Sequence, residues 1–140
     1  MRRTIILRAG AVAVALLVGP VSLAGCGLGA RPEMRTIVVT IHYSQFGSSL
    51  LTVRPGETVR FVVRNSDPID HEFILGDETV QHFHEAGSEP HHGAKPGEIS
   101  IPAGQTRTTT FTFPRLGTLL FGCHLPGHYA YGMRGSVLIA

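Results

Sequence analysis

Only two cysteines occur in the 140 residues, Cys26 and Cys123, so a disulfide framework is excluded and at most one bridge is open to the chain. Charged side chains make up 16% of the sequence and form no basic stripe, which argues against nucleic acid as a partner. Lysine is nearly missing, Lys95 being the only one among twelve cationic side chains. The one long apolar run, residues 9–21, is interrupted by Gly19-Pro20 and falls short of the roughly 20 apolar residues that a spanning helix requires. Outside that segment no helical periodicity exceeds two turns and no internal repeat is visible.

What is present begins with an export signal. Arg2, Arg3 and Arg8 form a positive start before the apolar run, so residues 1–25 are expected to be removed, leaving one domain of ordinary size. Loss of those three arginines takes the formal charge from +2 to −1. The run ends in Leu23-Ala24-Gly25-Cys26, which resembles a bacterial lipobox and implies cleavage before Cys26 and lipidation of its thiol. Arg2-Arg3 also suggests twin-arginine export, but the rest of that motif is poor and the route stays open. Residues 26–34 then read as a lipidated N-terminus and a short tether.

The remainder reads as short strands and turns, at residues 36–43, 49–53, 58–64, 72–75, 98–101, 106–113, 118–123 and 136–139. Alternation is clearest from Thr106 to Phe113, where threonine and phenylalanine suit a pleated surface. Many short strands at this spacing argue for a β-sandwich.

Chemistry concentrates near the C-terminus, in Cys123-His124-Leu125-Pro126-Gly127-His128-Tyr129-Ala130-Tyr131-Gly132-Met133. A thiolate, an imidazole and a thioether stand five residues apart, and a strand-like run follows. Soft sulfur with imidazole suits copper, and two histidines with one cysteine and a long axial methionine make the electron-transfer copper geometry. His71 can supply the second imidazole, because it opens the strand-like run His71-Glu72-Phe73-Ile74-Leu75 after a turn-rich stretch. If Cys26 is lipidated, Cys123 is a lone thiol in an oxidising compartment, a liability that copper ligation removes.

With these ligands, and with the turns at Arg54-Pro55-Gly56 and Ile101-Pro102-Ala103-Gly104, residues 35–140 resemble the cupredoxins, small blue copper proteins related to plastocyanin and azurin. The resemblance implies an all-β, Greek-key sandwich of about eight strands. It also implies one type 1 copper at one end, held by His71, Cys123, His128 and Met133. Pro126 limits the freedom of the ligand loop and Gly127 permits a tight turn before His128. Glu72 and His124 each follow a ligand directly, and the resemblance places them side by side, so a hydrogen bond between them is expected to support the site.

The motif also resembles the C-terminal ligand segment of multicopper oxidases, in which histidines flank the cysteine on both sides. Here Gly122 precedes Cys123, and the other paired His-x-His segments are missing except for His82-Phe83-His84. A binuclear centre is disfavoured too, since it needs two cysteines in the loop. The implied function is therefore non-enzymatic: extracytoplasmic carriage of single electrons between redox protein partners, from a lipid anchor on a bacterial membrane, with His128 as the port. A copper-handling protein that sequesters or delivers the metal is the alternative, and a subunit of a copper oxidase is the weaker one. The alternative draws on residues 77–97, which read as a surface insertion carrying His82, His84, His91 and His92, a tract able to bind copper or zinc. His42 reads as structural or surface.

Overall fold

The computed structural model describes residues 34–87, 92 and 95–140. The expected signal, Cys26 and His91 lie outside the described residues. Among the described residues nine strands form two sheets. They are β1 (Arg35–His42), β2 (Gln45–Phe46), β3 (Leu50–Val53), β4 (Thr58–Asn65), β5 (His71–Gly76), β6 (Glu98–Ile101), β7 (Thr106–Thr112), β8 (Gly117–Gly122) and β9 (Arg134–Ile139). One sheet has the order β2-β1-β4-β7 and the other β3-β9-β8-β5-β6. β1 runs parallel to β4 and β3 parallel to β9, and the other pairings are antiparallel. This is a Greek-key-like cupredoxin sandwich with one strand more than the eight expected, the addition being the two-residue β2 that folds back on the end of β1.

Alternation drives the assembly. Along β4, Val59, Phe61 and Val63 point inward while Arg60 and Arg64 face water. The core is a run of phenyl rings: Phe61 meets Phe73 at 5.2 Å and Phe113 at 6.3 Å, and Phe73 meets Phe121 at 5.4 Å, so the two sheets are joined by aromatic contacts. β5 departs from the pattern, since all six of its residues are buried. Its inner face packs into the sandwich and its outer face lies under a helix.

That helix, α1 (Glu78–Ala86), occupies the first part of the stretch 77–97 read from the sequence as a surface insertion, where no helix was expected. Asp77 caps it, its side chain accepting from the Val80 amide at 3.0 Å, with Glu78 in the first turn. Gln81 holds it to the sheet, donating to the carbonyls of Ile74 and Leu120 at 3.0 and 3.2 Å. No helix among the described residues is long and apolar enough to cross a membrane.

Phe61 is fully buried at the centre of the aromatic run. Phe61→Ala should therefore destabilise the domain by about 3–5 kcal/mol, read as a lower denaturant midpoint with little change in slope.

Candidate metal centre

Two strand ends and one loop build the site. β5 opens on His71, and Cys123 follows the last residue of β8. The loop then runs back to β9, whose first residue follows Met133. Its ends are tied by the Cys123 amide donating to the Met133 carbonyl at 3.1 Å. Inside, the His128 amide donates to the Leu125 carbonyl and the Met133 amide to the His128 carbonyl, both at 3.0 Å, so His128 is fixed from either side. Gly127 takes φ +84°, the left-handed turn expected of it.

His71, Cys123 and His128 converge, their ligand atoms all within 4.8 Å of one another. Cys123 Sγ lies 3.3 Å from His128 Nδ1 and 3.9 Å from His71 Nδ1. His71 and Cys123 are wholly buried, and His128 is half-buried. Met133 is also buried, at the end of the loop.

The polar surroundings prepare these atoms for a cation. His71 Nε2–H donates to Asp67 Oδ2 at 3.0 Å, which leaves the Nδ1 lone pair facing Cys123. Asp67 is itself cradled by the amides of Tyr43 and Ser44, each at 2.7 Å. Those two residues hold φ of 51° and 54°, a left-handed pair whose amides make a nest for a carboxylate. Burial pushes the Asp67 carboxyl up, but the Ser44 and Tyr43 amides and the His71 ring outweigh it and hold the group below its usual range. Burial, joined by the neighbouring His71, lowers His128 below the usual histidine range, against an opposing pull from Asp67. Burial also pushes the Cys123 thiol up to about 11, against amide donors from Leu125 and from Glu72, whose N–H lies 3.2 Å from Sγ. A buried thiol with two imidazoles beside it and amides aimed at its sulfur fits a mononuclear copper ion: soft sulfur with imidazole is the donor set copper favours, and the sulfur's anion has hydrogen bonds waiting.

Glu72 and His124 do meet, but through the backbone: the His124 amide donates to Glu72 Oε2 at 3.3 Å. The His124 ring instead donates from Nε2 to Gln81 Oε1 at 2.8 Å and stacks on Tyr129 at 4.6 Å. Gly122 is required by the same packing, since a Cβ there would come within 2.5 Å of the Tyr129 ring. Of the four histidines at 77–97, His84 and His92 approach each other and Glu98, while His82 is exposed on α1, apart from them. His42 ends β1 with its ring largely in solvent. Sequence reasoning missed Asp67, Gln81 and Glu98. Asp67 had a weak signal, four residues before His71 in a turn; the other two had none.

The fold and this centre define a small copper-binding sandwich protein. Residues 35–140 match the model of the copper binding proteins, plastocyanin/azurin family, and the chain belongs to that family. Such proteins bind copper without catalysing a reaction, so the chain is not an enzyme. It is 35% identical over 116 residues to the copper-resistant cuproprotein CopI of Rubrivivax gelatinosus, a match covering 81% of this chain and 70% of that one. It is 28% identical over 142 residues to the protein of the same name from Pseudomonas aeruginosa, covering 79% and 78%. Among solved structures, reduced auracyanin from Roseiflexus castenholzii superposes with a TM-score of 0.63 at 27% identity, over 75% of this chain and 96% of that one.

Because the free thiol titrates at about 11, the copper-free protein carries it protonated at pH 8, and metal binding as thiolate must expel that proton. Loading at pH 8 in weak buffer should release about one proton per ion bound at this site. Release well below that, measured by pH-stat, would mean that Cys123 is not the ligand.

Proposed function

We propose that this protein handles copper outside the cytoplasm and protects against its excess, holding the ion at His71, Cys123, His128 and Met133. The observation that carries this reading is the buried thiol with two imidazoles on it, in a chain 35% identical to a copper-resistant cuproprotein. Copper bound there would supply a one-electron couple. The chain's own residues do the rest. Asp67 orients His71, the Glu72 amide supports the sulfur, and burial of Cys123 keeps water and oxidants from it. Ligands hung on two strands and a closed loop favour retention of the ion over release.

A second reading, one-electron carriage between redox partners, is favoured by the half-exposed edge of His128 and by likeness to auracyanin, a protein crystallised in its reduced state. The two readings share a site and differ in phenotype. In a strain lacking the protein, the wild type should restore growth in elevated copper and Cys123→Ser should not. Restoration by Cys123→Ser would overturn the copper-tolerance reading. In vitro, the copper-loaded wild type should be intensely coloured by sulfur-to-copper charge transfer. Met133→Leu should keep the colour and raise the potential, through loss of a weak donor that favours Cu(II).

The lipobox-like Leu23-Ala24-Gly25-Cys26 supports a tether to a bacterial membrane. Several acyl chains anchor stably where one does not, so the mature protein should fractionate with membranes and Cys26→Ser should release or strand it unprocessed. An unmodified N-terminus in the mass spectrum of the native protein would refute the tether.

A further inference from the structure

Successive residues of a strand face opposite sides of the sheet. His71 points to the first centre, so Glu72 points to the other face, beneath α1, and His124, just past the end of β8, lies there with it. There they line a cavity of about 240 Å³ with Phe83, His84, His92 and Leu125. The ligand atoms of His84, His92 and Glu98 lie within 4.8 Å of one another beside it.

The hydrogen-bond pattern leaves one nitrogen of this cluster, His84 Nε2, without a donor. His84 Nδ1–H donates to the Val80 carbonyl at 2.8 Å, which fixes the tautomer. Its Nε2 then presents a lone pair, is buried, and has no hydrogen-bond partner. The atom it faces is Glu98 Oε2, 3.4 Å away, so in the neutral ring a lone pair points at a carboxylate oxygen. The same oxygen lies 3.7 Å from His92 Nδ1 and 3.5 Å from the exposed ammonium of Lys95, which offsets the carboxylate charge but not the orphaned nitrogen. A ring that donates one N–H to a backbone carbonyl and leaves the other nitrogen bare is the usual arrangement of a metal-binding histidine. Bonds of about 2.0–2.1 Å set the donors of a tetrahedral ion about 3.3–3.4 Å apart, which the 3.4 Å from His84 Nε2 to Glu98 Oε2 matches and the 3.7 Å from His92 Nδ1 approaches.

Regular structure and hydrogen bonds hold the three side chains in place. His84 rides on α1, Glu98 opens β6, and His92 is pinned by its amide donating to Ser100 Oγ at 2.8 Å and the Ser100 amide donating to its carbonyl at 3.1 Å. His124 adds a second lone pair to the cavity wall. The Gln81 amide group is committed to the Ile74 and Leu120 carbonyls, so its oxygen must accept from His124 Nε2, and Nδ1 is left bare and buried.

We propose that His84, His92 and Glu98 form a second metal site, for a divalent ion of borderline softness, Cu(II) or Zn(II), on the opposite face of the sheet from the first. Two imidazoles and a carboxylate suit either ion, and the cavity leaves a position for water or His124. The site stands on its own geometry and is independent of the copper-tolerance reading.

The test uses the mature protein with its first site already filled with copper, titrated by calorimetry with Zn(II) and, in parallel, with Cu(II) followed by EPR. One further ion should bind, the Cu(II) arm giving a signal with nitrogen coupling and no new charge-transfer colour. Glu98→Gln and His84→Gln should each weaken this second event by at least about tenfold while leaving the colour of the first site unchanged. No second equivalent of either ion, or one that both variants bind as tightly as wild type, would overturn the proposal. Should the variants unfold, ring resonances in the wild type decide it: Zn(II) should shift those of His84 and His92, and shifts confined to exposed His82 would overturn the assignment.

Discussion

The hydrogen bond from the Cys123 amide to the Met133 carbonyl closes the ligand loop on itself, and the copper centre depends on it. β8 and β9 are paired from Gly117 to Ile139 and from Gly122 to Arg134, so the loop is the tip of a hairpin whose stem is part of the sandwich. Opening the loop means breaking sheet. The thiol, one imidazole and the thioether are thereby carried by one closed segment. β5, paired to β8 through Ile74 and Gly122, brings in His71 at a fixed height. Little chain entropy remains to be lost when an ion is bound, which is how a scaffold rather than a metal comes to set ligand geometry.

A second consequence of the same strand pair is that the sheet has chemistry on both faces. Glu72 joins the two sides. Its amide supports the Cys123 sulfur, and its carboxylate accepts from the His124 amide and lies 3.4 Å from His92 Nε2. Asp67 plays the corresponding part at the other edge, held by a left-handed Tyr43-Ser44 pair that costs of order 1–3 kcal/mol per residue and is retained where it aims two amides at one carboxylate. Backbone strain in the turn after β1 is thus connected, through Asp67, to the orientation of a ligand on β5.

Much of this was legible in the sequence because it obeys simple periods. The strands alternate, and the ligand loop carries its donors at a spacing specific to one metal. His71 was readable because it opens a strand after a turn. The helix α1 was not, for a physical reason: it has nine residues, and its inward positions, Gln81 and His84, are polar. A search for apolar residues at helical spacing cannot find a helix that buries hydrogen-bonding groups against the face of a sheet, although Asp77 and Glu78 announce its start. Glu98 was invisible because it matters through partners brought near by the fold, and Asp67 was only faintly legible, since its turn position four residues before His71 gave no sign of the Tyr43 and Ser44 amides that hold it. Glu72 and His124 were found as neighbours, but which atoms meet could not be read without Gln81, which claims the His124 ring.

The close packing at Gly122 limits which ligands this loop can carry. In the multicopper oxidase pattern a histidine stands at this place, on the other side of the cysteine from the residue that His124 matches. Here any side chain would push into Tyr129, which stacks on His124 and lies beneath Arg134. A single substitution would therefore dislodge the aromatic layer before it could add a ligand. A histidine at this place would enter only with rearrangement of the layer that Tyr129 forms with His124 and Arg134, so this loop is built for a ligand on one side of the cysteine alone.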